Sequence, residues 1–257
     1  MPEGPDFIGV GVQKCGTTWV AARLAEHPQI YFDKKEISFF TNHFCRGCGW
    51  YHEHFKGKGG RIAGEISPNY FIAPRPDSAR LEHYPRWSLQ SWYKHLTRPY
   101  PSARDEIRKA YPGVKVFAMF RNPIDRAWSH YWMWVERRKK RGKGRLVVPF
   151  EKMFRDNGRW MQLTGRYATL LKYWREAFPQ IGVFLYDDLA ADPKSLIQSV
   201  YRFLGVDDSF VGKLGNRENA REYEPMDETT RRMLADFYRA EVEEFGRMIG
   251  RDLPWLG

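Results

Sequence analysis

"GVGVQKCGTTWV", residues 9–20, is a short apolar run broken by glycines, then a lysine, another glycine, two threonines and a tryptophan. Extended backwards, "DFIGVGV" (6–12) reads as a buried strand, and "TTWVAARLAEHP" reads as a helix halted near Pro28. A strand that turns tightly into a helix start brings backbone N–H groups together, and a phosphate sits well there. The spacing aligns with the nucleoside-triphosphate signature G-x-x-x-x-G-K-[ST] at Gly11, Gly16 and Thr18. Thr17 stands where that signature has its lysine, and the cation is Lys14, inside the loop. A phosphate-cradling backbone is kept, while the lysine that touches terminal phosphates is lost. The same letters also fit an ordinary strand–turn–helix with an exposed lysine.

Further along the chain, "RIAGEISP" (61–68), "VKVFAMF" (114–120) and "IGVFLYDDL" (181–189) read as three more buried strands. Helical spacing lies between and after them: "ARDEIRKAYP" from 103, "PIDRAWSHYWMWVERR" from 123, "RYATLLKYWREAFP" from 166, "PKSLIQSVYRFLG" from 193 and "MDETTRRMLADFYRAEVEEFGRMIG" from 226. Alternating strands and helices predict an α/β fold: one P-loop-type domain over 1–257, with a central, mostly parallel sheet flanked by helices. Ligands in such sheets bind beyond the carboxyl ends of the strands. The stretch 73–103 is rich in Pro, Arg and aromatics without a clean period, and reads as a lid or insertion.

The 257 residues carry a net charge of +11, which favours anionic partners and says nothing of the fold. Cys15, Cys45 and Cys48 are too few for a secreted disulfide scaffold, and no apolar run is long enough to span a bilayer. The start "MPEGPDF" lacks a basic-then-apolar leader. The expectation is a cytoplasmic protein without stable membrane insertion; its oligomeric state is left open.

"KCGTTW" resembles the 5′-phosphosulfate-binding loop of sulfotransferases, which use 3′-phosphoadenosine 5′-phosphosulfate (PAPS). "FRNPIDRAWSHY" (120–131) resembles the same family's 3′-phosphate-binding motif, with Arg121 at a strand end and Ser129 eight residues on. The residues make sense unaided. Asn122 suits an N-cap and Pro123 the first helical position. Ser129 falls about two turns later on the same helix face. Arg121 then offers a forked cation, and Ser129 a hydroxyl, to one phosphate. "GEISPNYF" (64–71) and "YDDLAADPKSLIQSVYRFLGV" are also similar to segments of this family, and the likeness is to its glycan-type branch, which includes heparan sulfate sulfotransferases.

The resemblance implies that Lys14, Cys15, Gly16, Thr17, Thr18, Trp19, Arg121 and Ser129 bind PAPS. It also implies a loop over the adenosine within 213–225, where Lys213, Arg217 and Arg221 are candidates. In the heparan sulfate branch a glutamate in "E-x-x-F-F" acts as base, and "KKEISFF" (34–40) supplies Glu36. The cytosolic branch uses histidine, for which His52 and His54 come second. Lys35, Ser67 and Trp132 are candidate substrate contacts. "DKKE" (33–36) also fits capping-box spacing, so Glu36 reads alternatively as a helix cap. The chain departs from the branch's "E-K-T-P": Ile66 replaces the lysine and Ser67 the threonine. Such a site needs no metal, and the acceptor, a glycan or a small metabolite, supplies a hydroxyl or an amine.

Two other clusters carry alternatives. "RRKKRGKGR" (137–145) reads as an anion-guiding rim or as a solvated loop, which charge runs usually are. "HFCRGCGWYHEH" (43–54) has C-x2-C and nearby His, but its ligands share one segment, where a zinc site normally draws on separate arms. Competing functions are a P-loop kinase or NTPase, opposed by Thr17, and a basic nucleic-acid-binding protein, for which no reader motif is present.

Overall fold

The computed structural model describes residues 4–72, 102–142, 147–215 and 224–257. Five strands form one sheet: β1 (Phe7–Gly11), β2 (Ile30–Tyr31), β3 (Ile62–Ile66), β4 (Lys115–Phe120) and β5 (Gly182–Leu185). The order is β2-β3-β1-β4-β5 and every pairing is parallel. All five residues of β1 are buried, as a strand covered on both faces requires, which is why it reads as a continuous apolar run.

The helices are α1 (Thr17–Glu26), α2 (Gly47–His52), α3 (Ala103–Ala110), α4 (Pro123–Lys140), α5 (Tyr167–Ala177), α6 (Tyr186–Ala191), α7 (Pro193–Leu204) and α8 (Glu228–Ile249), with short turns between some of them. Most match their sequence expectations to within a residue or two. Strand β5 is the correction: the expected strand 181–189 stops at Leu185 and the chain becomes helix at Tyr186. Asp187 and Asp188 fall in that helix's first turn, where negative charge is favoured. Ser102 caps α3 by accepting from the Asp105 N–H; of the stretch 73–103 expected as a lid or insertion, residues 73–101 lie outside the described residues.

The chain leaves β1 through α1 to build β2 and β3 on one side, then crosses to β4 and β5 on the other. The switch point therefore lies beyond the carboxyl ends of β1 and β4, where open α/β sheets bind ligands. Gly11 ends β1 hard against Phe71: a Cβ there would lie 2.3 Å from the Phe71 Cβ. Behind β4, Phe120 packs on Phe245 of α8 at 4.7 Å between ring centres, and Tyr167 of α5 on Phe120 at 5.1 Å. Each such aromatic contributes about 1.5–3 kcal/mol by burial. Trp255 near the C-terminus is 2% exposed. Its carbonyl accepts from Asn122 Nδ2 at 3.0 Å and its indole donates to Asp187 at 3.1 Å, tying the tail to the starts of α4 and α6.

Candidate active site

The loop after β1 is shaped by two left-handed residues, Lys14 (φ 74°) and Gly16 (φ 84°). Glycine takes that conformation at no cost, whereas Lys14 adopts it against its preference, of order 1–3 kcal/mol. The result is a tight entry to α1, whose first N–H groups have no partner inside the helix. Lys14, Gly16 and Thr18 reach solvent, while Cys15, Thr17 and Trp19 are buried. The Cys15 and Trp19 amides bond to the Val12 and Gly16 carbonyls at 3.3 and 3.0 Å, so these two residues support the loop from behind. Burial pushes the Cys15 thiol up to about 11, although Arg126 and Arg121 pull the other way.

The second motif meets the loop directly. The Val12 N–H bonds to the Met119 carbonyl of β4 at 2.8 Å, the Tyr167 hydroxyl donates to the Arg121 carbonyl at 2.8 Å, and the Cys15 Sγ lies 3.8 Å from that hydroxyl. The Arg121 guanidinium lies over the Tyr186 ring at 4.7 Å, and Tyr186 also lines the space beside Gly16. Asn122 caps α4 by accepting from the Ile124 N–H at 2.9 Å, and Pro123 opens the helix. Ser129 is buried on α4. Beside it, His130 is half-buried, and its buried Nδ1 has no hydrogen-bond partner among the described residues. Burial, reinforced by the Arg126, Lys14 and Arg137 charges, pushes its imidazole down to about 3. Lys14 and α4 thus lie within electrostatic reach of each other.

The third component is the segment carrying Glu36. It is not a helix: Glu36 (φ 62°) and Ser38 (φ 54°) are left-handed, so "DKKE" forms no capping box. Asp33 instead meets His54 at 2.8 Å. The Glu36 carboxylate is exposed and bonds to Lys35 Nζ, so those two candidates form one ion pair. The Glu36 N–H bonds to the Ile66 carbonyl at the end of β3 at 2.9 Å, and the Ser67 N–H bonds to Gly9 of β1 at 2.8 Å. Glu36 therefore hangs at the carboxyl edge of the strand next to the cradle. Ser67, expected against the substrate, is 0% exposed, and its hydroxyl donates to Glu65 at 2.5 Å and accepts from the Ser38 N–H at 2.9 Å.

Trp132 is half-buried on α4, edge-to-face with Trp128 at 5.9 Å and Tyr131 at 5.6 Å. At the basic end of α4, Arg138 lies over Trp134 at 4.4 Å. Arg217 and Arg221 lie outside the described residues, as does the 143–145 part of the basic run. His52 bonds to the Tyr111 hydroxyl at 2.8 Å. Among the described residues no three His, Cys, Asp or Glu gather as metal ligands, and no helix is long and apolar enough to cross a membrane. Sequence reading missed Tyr186, Tyr167 and Glu65: the two tyrosines meet Arg121 and the loop after β1 from far along the chain, and Glu65 gathers Tyr51 as well as its neighbours Ser67 and Tyr70.

A parallel five-stranded sheet with a glycine loop after β1 and Arg121 after β4, both at its switch point, has the architecture of a P-loop-like α/β protein. Residues 5–209 match the model of the sulfotransferase family, and the chain belongs to that family. It is 24% identical to the membrane-associated sulfotransferase kil1 of Dictyostelium discoideum, over 98% of this chain and 66% of that protein. It is 25% identical to the mouse heparan sulfate glucosamine 3-O-sulfotransferase 3A1, over 98% of this chain and 65% of that one. The chain thus spans about two thirds of these relatives' length. Among solved structures, the sulfotransferase of Alicyclobacillus acidocaldarius superposes with a TM-score of 0.74 at 25% identity, covering 98% of each chain.

Proposed function

We propose that the chain moves a sulfuryl group from PAPS to an acceptor hydroxyl or amine by in-line displacement. The observation that carries this is the junction of the two phosphate motifs: the Lys14–Thr18 loop and Arg121 meet at one switch point through Tyr167, Cys15 and Tyr186. The residues fit the donor. Lys14 and Arg121 are cations, Thr18 and Ser129 offer hydroxyls, and Gly16 opens the way to the helix N–H groups. PAPS, when bound, supplies a sulfuryl group on a phosphate that can leave. The loop amides, with Thr17 and Thr18, hold the 5′-phosphate, and Arg121 with Ser129 hold the 3′-phosphate. Lys14 neutralises charge as it builds on the bridging oxygen. Glu36 takes the acceptor's proton, and Lys35 keeps the carboxylate oriented until the acceptor arrives.

The acceptor in this reading is anionic, a glycan in the first instance. Support comes from the +11 charge, from the cation–aromatic end of α4 beside Trp132, and from relatives named for heparan sulfate. A cytoplasmic setting belongs to the same proposal and rests on three unpaired cysteines. The test is transfer of labelled sulfate from PAPS to a panel of desulfated glycans and small hydroxyl or amine compounds. Label should reach at least one acceptor with the wild-type chain and be lost with Glu36→Gln. Magnesium-dependent ATP hydrolysis without any transfer would revive the kinase or NTPase alternative.

A further inference from the structure

The carboxylate of Glu65 is 0% exposed, one residue before β3 ends, and among the described residues no cation pairs with it. Four donors converge on it instead. The Tyr51 and Tyr70 hydroxyls donate to its Oε1 at 2.8 and 2.9 Å, the Ser67 hydroxyl to its Oε2 at 2.5 Å, and the Ile37 N–H completes the set. Burial pushes its carboxyl up, and the Ser67, Tyr51, Tyr70 and Ile37 hydrogen bonds pull it back.

Each of these donors also reaches the segment that follows Glu36. Ile37 is the next residue. The Ser67 Oγ accepts the Ser38 N–H at 2.9 Å, and the Tyr70 hydroxyl accepts the Phe40 N–H at 3.3 Å. The Tyr51 ring stacks on Phe39 at 4.5 Å, with only 11° between the planes. Residues 37–40 are therefore gripped from one side by a single buried acceptor and the groups it orients. Just before and within this gripped run lie two left-handed non-glycine residues, Glu36 and Ser38, a conformation that persists only where the surroundings enforce it. A buried polar network of this kind holds one geometry when every member is satisfied and fails when one is not.

We infer that Glu65 is a positioning residue that fixes the Glu36 segment in its left-handed course, so that the Glu36 carboxylate emerges at the carboxyl edge of β3. Its bearing on catalysis rests on the reading of Glu36 as base; its grip on the segment does not. An acceptor-only carboxylate suits four donors. A Gln amide in its place turns an N–H2 group toward hydroxyls that are themselves donating.

The test compares Glu65→Gln with wild type in two independent readouts. In hydrogen exchange, the Ile37, Ser38 and Phe40 amides of the variant should exchange at least about tenfold faster, while α1 and α4 amides keep their protection. In kinetics with PAPS and N-desulfated heparin, kcat should fall at least about tenfold with the KM for PAPS unchanged. In a Glu36→Gln background the same substitution should add less than about twofold. Exchange in 37–40 that matches wild type would overturn the inference, as would a kcat loss that simply multiplies that of Glu36→Gln. If Glu65→Gln does not fold, Ser67→Ala and Tyr70→Phe must each loosen the partner amide, Ser38 or Phe40, and wild-type exchange in both overturns it. Full activity of Glu36→Gln would remove the base reading, and the exchange result would still decide whether Glu65 holds the segment.

Discussion

The phosphate cradle and the Glu36 segment follow the ends of neighbouring strands, β1 and β3, yet they are built by opposite means. The cradle is local: Gly11, Lys14, Gly16 and the start of α1 lie within eight residues, and in the proposed reading the backbone itself supplies the binding groups. The Glu36 segment is held from a distance by Glu65, Ser67 and Tyr70, about thirty residues on. A local backbone site survives side-chain change except at its charges and glycines. A site hung on a remote network depends on every member of it.

The largest expected effects separate the two regions by what they do to catalysis and to binding. Glu36→Gln should lower kcat by about 10²–10⁴-fold, the range of a lost general base, with affinity for adenosine 3′,5′-bisphosphate unchanged in calorimetry. Lys14→Ala should cost about 10²–10³-fold in kcat, as a lost donor to developing charge does. A Glu36→Gln variant that also lost bisphosphate binding would merge the two regions into one and break the comparison.

Next comes acid stability, which belongs to the cradle side. His130 titrates near 3 when folded but near 6.5 when unfolded, so the unfolded chain binds the extra proton between those values. Its contribution is favourable above pH 6.5 and is lost as pH falls, by up to about 1.4 kcal/mol per unit. Melting temperatures of wild type and His130→Gln should therefore converge or cross as pH drops from 7 to 4. Parallel curves would show that burial, with the Arg126, Lys14 and Arg137 charges, does not hold this imidazole down.

The smallest effect is a chemical contrast between the same two regions. Cys15 is buried behind the cradle, whereas Cys45 and Cys48 are exposed just before and within α2, beyond the Glu36 segment. A thiol reagent at pH 8 should modify Cys45 and Cys48 in the native chain and Cys15 only after denaturant is added, read by mass spectrometry. Rapid labelling of Cys15 would mean that the loop opens on its own.

The same contrast explains what could be read from the letters. β1, β3 and β4 are apolar runs bounded by turn residues, and the cradle is a contiguous motif, so all were legible. β2 is two residues long, Ile30 and Tyr31, too short to show a period. The end of β5 was obscured because Tyr186 and Leu189 continue its apolar texture into α6. Glu36 was legible as a candidate, but its conformation was not. The spacing of "DKKE" suggests a helix cap, and the left-handed turn arises from hydrogen bonds made by β3 and the residues after it. Ser67 is a parallel case: that its buried hydroxyl bonds to Glu65 and accepts the Ser38 N–H could not be read from local spacing.

The central claim is that the cradle and the Arg121 motif form one site for a 3′-phosphorylated adenosine. Calorimetric titration with adenosine 3′,5′-bisphosphate, with and without magnesium, tests it most directly. Wild type should bind with one site per chain and no need for magnesium, and Arg121→Ala should bind about 10- to 100-fold more weakly, as loss of a charge-assisted contact implies. No binding by wild type, or equal binding by wild type and Arg121→Ala, would contradict the account.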